Sequence, residues 1–377
     1  MSNLKILISD VLLRKSFDVI NILLLHFDKQ DLIFGYSKHK KLITNLIYSS
    51  DSCELLRNDK NFSSDLLYIS KKYKSEKIVF LPIEELTIIN FYKFISNYGD
   101  MNFCYSLPSY ESFKLSRNKN ELNIFCEKNE IPCPKSISEK DFYSKKFNFP
   151  IIVKPKNGSG SNGISFAHNN QHLGNININF ERDFIQELLP NAKNVEAGFY
   201  LCQKGEIISF YSHKRIRTYP ETGGVTVFSE FKIDKKIRQS GAKIIKKLNW
   251  SGLLMIEYIF DKRDNQYKLI EINPRLWGSI LLSEFSGANF LKSYVNFSLN
   301  IKNININYKK NIYIRWFFPY DFIYFFKKIQ NPINFFKLNK NTCYINFTYS
   351  NPIKSFVFII LTYFDFSKTK NLFRKRI

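Results

Sequence analysis

Glu257, Glu271 and Asn273 are spaced so that they could act on one ligand. Residues 253–260 read as a strand, 261–266 as a polar turn and 267–275 as the returning strand. If the hairpin is symmetric about Asp264, Glu257 falls directly opposite Glu271, and the two-residue period puts Asn273 on the same face as Glu271. Opposed carboxylates repel unless a cation lies between them. Two carboxylates with an amide oxygen form a hard donor set suited to Mg²⁺ held together with substrate phosphates.

A second stretch, 149–166, pairs a cation with a glycine-rich loop. The apolar run Ile151-Ile152-Val153 ends in Lys154-Pro155, and the loop Asn157-Gly158-Ser159-Gly160-Ser161-Asn162-Gly163 leads into another strand-like segment. Glycines permit positive φ, so successive backbone N–H groups can turn toward one anion. A phosphate loop of the G-x-x-x-x-G-K-[ST] kind would feed a helix. This one joins two strands, as a flap folding over phosphates or as a flexible hairpin tip. The run Asp183-Phe184-Ile185-Gln186-Glu187-Leu188-Leu189-Pro190 is a short strand that could offer its backbone to an adenine edge, as many edge strands could. In Tyr211–Gly224, written out as YSHKRIRTYPETGG, His213, Arg215 and Arg217 share one strand face ahead of Gly223-Gly224. That pattern fits an anion site or a solvated basic stripe. No Ser/His/Asp or Cys/His arrangement stands out, and the scattered cysteines form no C-x-x-C pair, so neither a zinc site nor a disulfide framework is expected.

The elements that must position these residues can be read in outline. Up to about residue 105, strand-like and helix-like segments alternate: Leu4–Ile8 a strand, 15–27 a helix, 31–35 a strand and Lys77–Leu81 another. This is the pattern of a parallel α/β layer. The turn after the first strand, Ser9-Asp10-Val11-Leu12-Leu13-Arg14, has no glycine, so a dinucleotide fingerprint fails and nucleotide binding by this layer is not expected. After Lys77–Leu81, Glu84 and Glu85 could face a ligand crevice or simply favour a helix start. Residues 116–129 read as a helix ended by Pro132 and Pro134. The expected domains are a 1–105 α/β layer, 106–185 with the flap, 186–300 with the carboxylate pair, and a 301–377 extension.

Of 377 residues, 44% are hydrophobic and 24% charged, an ordinary globular mixture with a formal charge of +23. Residues 301–377 hold 14 Lys/Arg against Asp321 and Asp365, about half of that excess, together with 21 of the 62 aromatic residues. Basic residues interleaved with aromatics can stack on nucleic acid, lie on a membrane surface, or form a helical cover on the core. Codon bias toward Lys, Asn and Ile accounts for part of the charge. No apolar run is long enough to span a bilayer, and 1–10 reads as a strand rather than a signal peptide, so a cytoplasmic protein is expected, with the inner membrane face as a further place.

Taken in order, Ile152-Val153-Lys154-Pro155, the flap, Gln186-Glu187, Glu257 and Glu271-Ile272-Asn273-Pro274-Arg275 resemble the ATP-grasp superfamily of carboxylate–amine ligases, in the branch of biotin carboxylase and carbamoyl-phosphate synthase. The stretch Arg217–Gly224 is similar to ligases met in cell-surface polysaccharide or amino-acid-conjugate pathways. The resemblance spans about residues 1–300. It implies an α/β (α+β ATP-grasp) fold, in which the N-terminal parallel layer is followed by two ATP-grasp subdomains clamping ATP. It also implies roles. Lys154 and Lys119 would reach phosphate, although Asn118 stands where such ligases carry an acid. Gly158, Ser159, Gly160, Ser161 and Gly163 would form the flap. Glu187, Leu188 and Leu189 would meet adenine, and Glu196 the ribose. Glu257, Glu271 and Asn273 would hold Mg²⁺, with Mn²⁺ as a substitute. Arg275 would stabilise the transferring phosphoryl group, and Arg217 the substrate carboxylate or acyl phosphate. The implied activity joins a carboxylate to an amine through an acyl phosphate at the expense of ATP; the alternative is a non-catalytic nucleotide- or RNA-binding protein on the same scaffold. The expected partners are ATP, a small-molecule carboxylate and an amine. A membrane-surface contact through 301–377 and a homodimer are further readings, and nucleic acid is disfavoured.

Overall fold

Apolar runs in the N-terminal part pair as parallel strands: β1 (Leu4–Ile8), β2 (Leu32–Tyr36), β3 (Ser52–Glu54), β4 (Lys77–Leu81) and β5 (Phe103–Cys104), in the order β3-β2-β1-β4-β5. Consecutive residues Ile6, Leu7 and Ile8, and likewise Ile78, Val79 and Phe80, are each 0% exposed, so both faces of the central strands are covered. That double burial is why these strands read as continuous apolar runs rather than alternating ones. The strands expected over Leu4–Ile8 and Lys77–Leu81 have those bounds, and the expected 15–27 helix is α1 (Arg14–Leu23).

The computed structural model describes residues 4–36, 41–48, 52–54, 59–81, 83–158, 163–192, 194–219, 225–301, 306–328, 331–336, 341–348 and 350–363. The chain divides into two units. One comprises Met1–Leu107, Arg275–Phe317 and Leu338–Ile377; the other comprises Pro108–Pro274 and Phe318–Lys337. Among the described residues no helix is long and apolar enough to cross a membrane.

In the second unit β6 (Ile151–Pro155) lies between β7 (Ser165–Ala167) and β8 (Asp183–Glu187), antiparallel to both. The glycine-rich loop therefore joins two antiparallel strands, as its lack of a following helix implied. A larger antiparallel run follows the order β13-β12-β9-β10-β11, formed by β9 (Val195–Gln203), β10 (Glu206–Tyr219), β11 (Val225–Lys232), β12 (Gly252–Asp261) and β13 (Gln266–Asn273). One face packs on α4 (Lys235–Lys247), reached after α2 (Glu85–Tyr98) and α3 (Lys119–Lys128) in chain order. Tyr200, Ile256, Tyr258, Leu269 and Ile272 join Ile237, Ile244 and Ile245 in the core on that side. By the two-residue period, Glu257 and Glu271 point to the other face.

The helix expected over 116–129 is interrupted. A helix Tyr110–Arg117 ends and α3 begins at Asn118, whose side chain accepts the N–H groups of Asn120 (3.1 Å) and Glu121 (3.2 Å). Asparagine is a strong helix N-cap for this reason, and the cap leaves Lys119 on the first turn.

The C-terminal segment contributes to both units. In the first, β14 (Tyr313–Arg315) pairs in parallel with β15 (Thr342–Tyr344), and α5 (Pro352–Tyr363) follows. Phe358 of α5 is 0% exposed and stacks on Phe17 of α1, with ring centroids 4.5 Å apart.

Candidate active site

The hairpin register brings the two carboxylates together. Glu257 pairs with Glu271 and Met255 with Asn273. The hairpin is not symmetric throughout. A bulge after Glu257 shifts the register, so Tyr258 pairs with Leu269 and Asp261 with Gln266. The expected opposition holds because the bulge lies on the turn side of the pair.

Both carboxyl groups are largely enclosed, with 17% of the Glu257 side chain and 22% of the Glu271 side chain exposed. Burial, and then the charge of Glu271, pushes Glu257 up to about 7, while Arg215 opposes the rise. Burial would raise Glu271 as well. Lys119, the hydrogen bond shared with Glu257, the Asn273 amide and Lys154 together bring it below the usual carboxylate range. The pair therefore holds one proton more readily than two exposed glutamates would, as two like charges in a dry site require. Asn273 Nδ2 donates to Glu271 Oε1 at 3.0 Å, and Arg215 donates to Glu257 Oε1 at 2.6 Å.

Two lysines complete the cluster. Lys119 Nζ donates to the carbonyl of Gly158 at 2.6 Å and lies 3.7 Å from Glu271 Oε2, while its backbone N–H donates to Lys156 O at 2.8 Å. The first turn of α3 is thereby tied to the start of the flap. Lys154 is 7% exposed on β6, with its ammonium 5.6 Å from the Phe184 ring centroid. Burial lowers it to about 8, against the pull of Glu271. Gly158 (φ +120°) and Gly163 (φ +73°) both take backbone conformations that favour glycine, and a Cβ on Gly163 would stand 2.9 Å from Pro155 Cγ. Ser159, Gly160 and Ser161 lie outside the described residues, as do Gly223 and Gly224.

One cross-strand row extends the site. Glu271, Glu257, Ala197, His213 and Phe231 are successive partners across β13, β12, β9, β10 and β11. His213 is 4% exposed, and neither ring nitrogen has a hydrogen-bond partner. Burial and then Arg215 lower it to about 3, so it is neutral at ordinary pH. Arg215 is the site residue that sequence reasoning noticed without assigning. The available signal was its position two residues from His213, which puts both on the face of the carboxylate pair.

The other expected residues have partners of their own. Glu196 pairs with Tyr258, so it projects to the α4 face of the sheet. There it lies 3.3 Å from the Tyr267 hydroxyl, which is also 3.3 Å from Asp234, and burial followed by Asp234 raises it. Glu187 accepts from Lys135 N (3.0 Å) and Arg263 (2.8 Å). The N–H groups of Glu187 and Leu188 donate to Lys135 O and Pro150 O, both at 2.9 Å, so these two donors are already in use. Leu189 is 4% exposed. Arg275 belongs to the first unit, where it lies 3.3 Å from Glu85 and donates to Leu276 O at 3.2 Å. That carbonyl also accepts from Lys15 at 2.8 Å, and Lys15 pairs with Glu84 at 3.0 Å. The two acids after β4 are thus matched by basic residues.

Arg217 departs most from expectation. Its guanidinium forms two 2.8 Å bonds to the carboxylate of Asp321, which is 0% exposed, and lies 4.5 Å from the Phe228 ring centroid. The fork expected to grip a substrate carboxylate grips an internal one, because a segment 104 residues away returns to this strand. Asp321→Ala is expected to lower stability by about 3 kcal/mol in chemical denaturation, since it strands a largely buried cation. The double variant Arg217→Met/Asp321→Leu should recover most of that loss. If instead stability is unchanged and only KM rises, Arg217 is a substrate residue after all.

Among the described residues, no group of three or more His, Cys, Asp or Glu side chains is placed to hold a metal. The candidate set here is two carboxylates and an amide, with phosphate oxygens as the natural remaining donors.

Residues 113–302 match the family model described as carbamoyl-phosphate synthase L chain, ATP binding domain. Acetyl-CoA carboxylase 2 of Arabidopsis thaliana is 25% identical over 139 residues, which is 34% of this chain but only 6% of that protein. The D-alanine–D-alanine ligase of Acetivibrio thermocellus is 27% identical over 147 residues, 35% of this chain and 39% of the ligase. Among solved structures, the biotin carboxylase domain dimer of Hydrogenobacter thermophilus 2-oxoglutarate carboxylase, in complex with MgADP, ADP and bicarbonate, superposes with a TM-score of 0.61 at 12% identity. The superposition covers 83% of this chain and 74% of that one.

Proposed function

Since the chain belongs to the carbamoyl-phosphate synthase L chain ATP-binding family, an ATP-grasp family with the mixed α/β fold described above, we propose that it is an ATP-dependent ligase that activates a carboxylate as an acyl phosphate and joins it to an amine, releasing ADP and phosphate. The observation that carries this reading is the largely enclosed Glu257–Glu271 pair, flanked by Lys119, Lys154 and Arg215. A purely structural strand pair gains nothing from opposing two buried carboxylates.

The donor set fits Mg²⁺, with Mn²⁺ as a substitute: Glu257 and Glu271 supply hard oxygens whose mutual repulsion a divalent cation relieves, and Asn273 adds an amide beside them. When bound, the ion would neutralise charge on phosphate oxygens. The rest falls to the chain's own groups. ATP and a carboxylate are both anions, so bringing them together requires cations on fixed scaffolds. Lys154 stands on a strand and Lys119 on a capped helix turn, each already beside Glu271 in the field it creates. Arg215, which donates to Glu257, would hold the second anion once Glu257 is shared with an ion. The segment from Gly158 to Gly163, hinged on its two positive-φ glycines, would cover the phosphates and keep water from the acyl phosphate. With the N–H groups of Glu187 and Leu188 in use, a backbone donor to adenine would come from Leu189. Arg275 remains the candidate for charge on the transferring phosphoryl group. No side-chain nucleophile is required, because the amine attacks the acyl phosphate directly and expels phosphate.

The test is an ADP-release screen with Mg²⁺ over amino acids, uronic acids and peptides, with amines supplied. The reading expects ADP release that depends on one carboxylate class. No release with any carboxylate, together with salt-sensitive RNA binding, would replace it with the binding-protein alternative.

A further inference from the structure

The helix α5 (Pro352–Tyr363) is built to show an apolar face outward. Proline opens it, where no intrahelical N–H bond is lost, and Asn351 caps it by accepting the Lys354 N–H at 2.9 Å. Its inner side is fixed: Phe358 stacks on Phe17, Ser355 is 0% exposed, and Lys354 lies with its ammonium 4.9 Å from the Tyr48 ring centroid. The outer side carries Ile353, Phe356 and Ile360, which are 76%, 64% and 38% exposed. Steps of three and four residues put these three on one stripe of the helix. An outward apolar stripe of this kind marks a contact surface rather than a scatter of single residues.

We propose that this stripe docks on an anionic membrane surface, with α5 lying in the interface. The inference does not depend on the ligase reading. The choice of occupant rests on the composition of the sequence that follows α5. Residues 364–377 contain Lys368, Lys370, Arg374, Lys375 and Arg376 against the single acid Asp365, with Phe364, Phe366, Leu372 and Phe373 among them. An apolar helix stripe followed by a basic, aromatic run is the composition of an interfacial anchor. Each basic residue near an anionic surface raises affinity roughly fivefold. A second copy of the chain is the poorer occupant, because two copies that each carry this excess of basic residues repel. Spanning is excluded for α5, whose twelve residues are far short of a bilayer's width.

Flotation of the full-length protein with vesicles tests this. The vesicles are equal parts phosphatidylglycerol and phosphatidylcholine, compared with phosphatidylcholine alone. The wild type should float with the anionic vesicles at low salt, release as salt rises, and stay behind with neutral ones. Ile353→Ser/Phe356→Ser, at exposed positions that leave the fold intact, should weaken binding by at least about tenfold. Arg374→Glu/Lys375→Glu/Arg376→Glu should abolish the preference for anionic lipid. The proposal is overturned if the wild type does not float, if the serine variant floats as well as the wild type, or if light scattering finds a dimer that the serine variant dissolves.

Discussion

Glu271→Gln should reduce carboxylate-dependent ADP release by about a thousandfold while leaving the protein folded and close to wild-type stability. The two halves of that expectation have the same cause. Glu257 and Glu271 are opposed across β12 and β13, and desolvation followed by their repulsion lifts Glu257 to about 7. An amide at 271 keeps the shape and an acceptor for Asn273, and it removes one of the two charges. Glu257 can then settle with Arg215, which already donates to it at 2.6 Å. That relief is offset by the loss of the Glu271 charge beside Lys119 and Lys154, so thermal stability without Mg²⁺ should change little. The same substitution removes half of the charge that would hold the ion, so the gain in melting temperature on adding Mg²⁺ and ATP should largely disappear. Turnover within tenfold of the wild type would sink the assignment of this pair as the metal site.

Lys154→Met should cost a further two to three orders of magnitude in kcat/KM, again without loss of stability (about 10²–10³). Lys154 is 7% exposed, and burial holds its ammonium at about 8 rather than 10.5. A folded-state value below the unfolded one means that burying the charge works against folding at neutral pH. In chelator, the wild type should therefore gain stability relative to Lys154→Met as pH rises from about 8 toward 10.5, because over that window the unfolded chain holds the proton more tightly. A lysine kept in a position that disfavours its charge is one whose use lies in binding an anion. If Lys154→Met lowers stability and leaves activity intact, the residue is only filling space beside Phe184.

What the sequence could disclose followed the range of the interactions. The opposition of Glu257 and Glu271 was legible because a short hairpin fixes its own register, and even the bulge left that pair in place. β1 and β4 were legible because strands buried on both faces are continuous apolar runs. The break at Asn118 was signalled by the cap residue itself, which a reading for helical periodicity alone passes over. The partners of Arg217 and Arg215 were not legible in this way. Asp321 is 104 residues from Arg217 and Glu257 is 42 from Arg215, and nothing local in either stretch specifies the meeting. The surroundings of Glu196 were not legible for a related reason. Which face of β9 it occupies depends on the neighbour strand's register, through its pairing with Tyr258.

The division of the chain also bears on how the molecule is made. Neither unit is a continuous stretch: one needs Leu338–Ile377 and the other needs Phe318–Lys337. As the chain leaves the ribosome, the sheet bearing Glu257 and Glu271 emerges well before Asp321, so for that interval Arg217 has no Asp321 to hold. A fragment cut at 108 and 274, the natural choice for expressing an ATP-binding module alone, would freeze the protein in that interval. Such a fragment should be hard to obtain in soluble form unless Arg217 is replaced, and a permuted chain that keeps 318–337 joined to it should behave better.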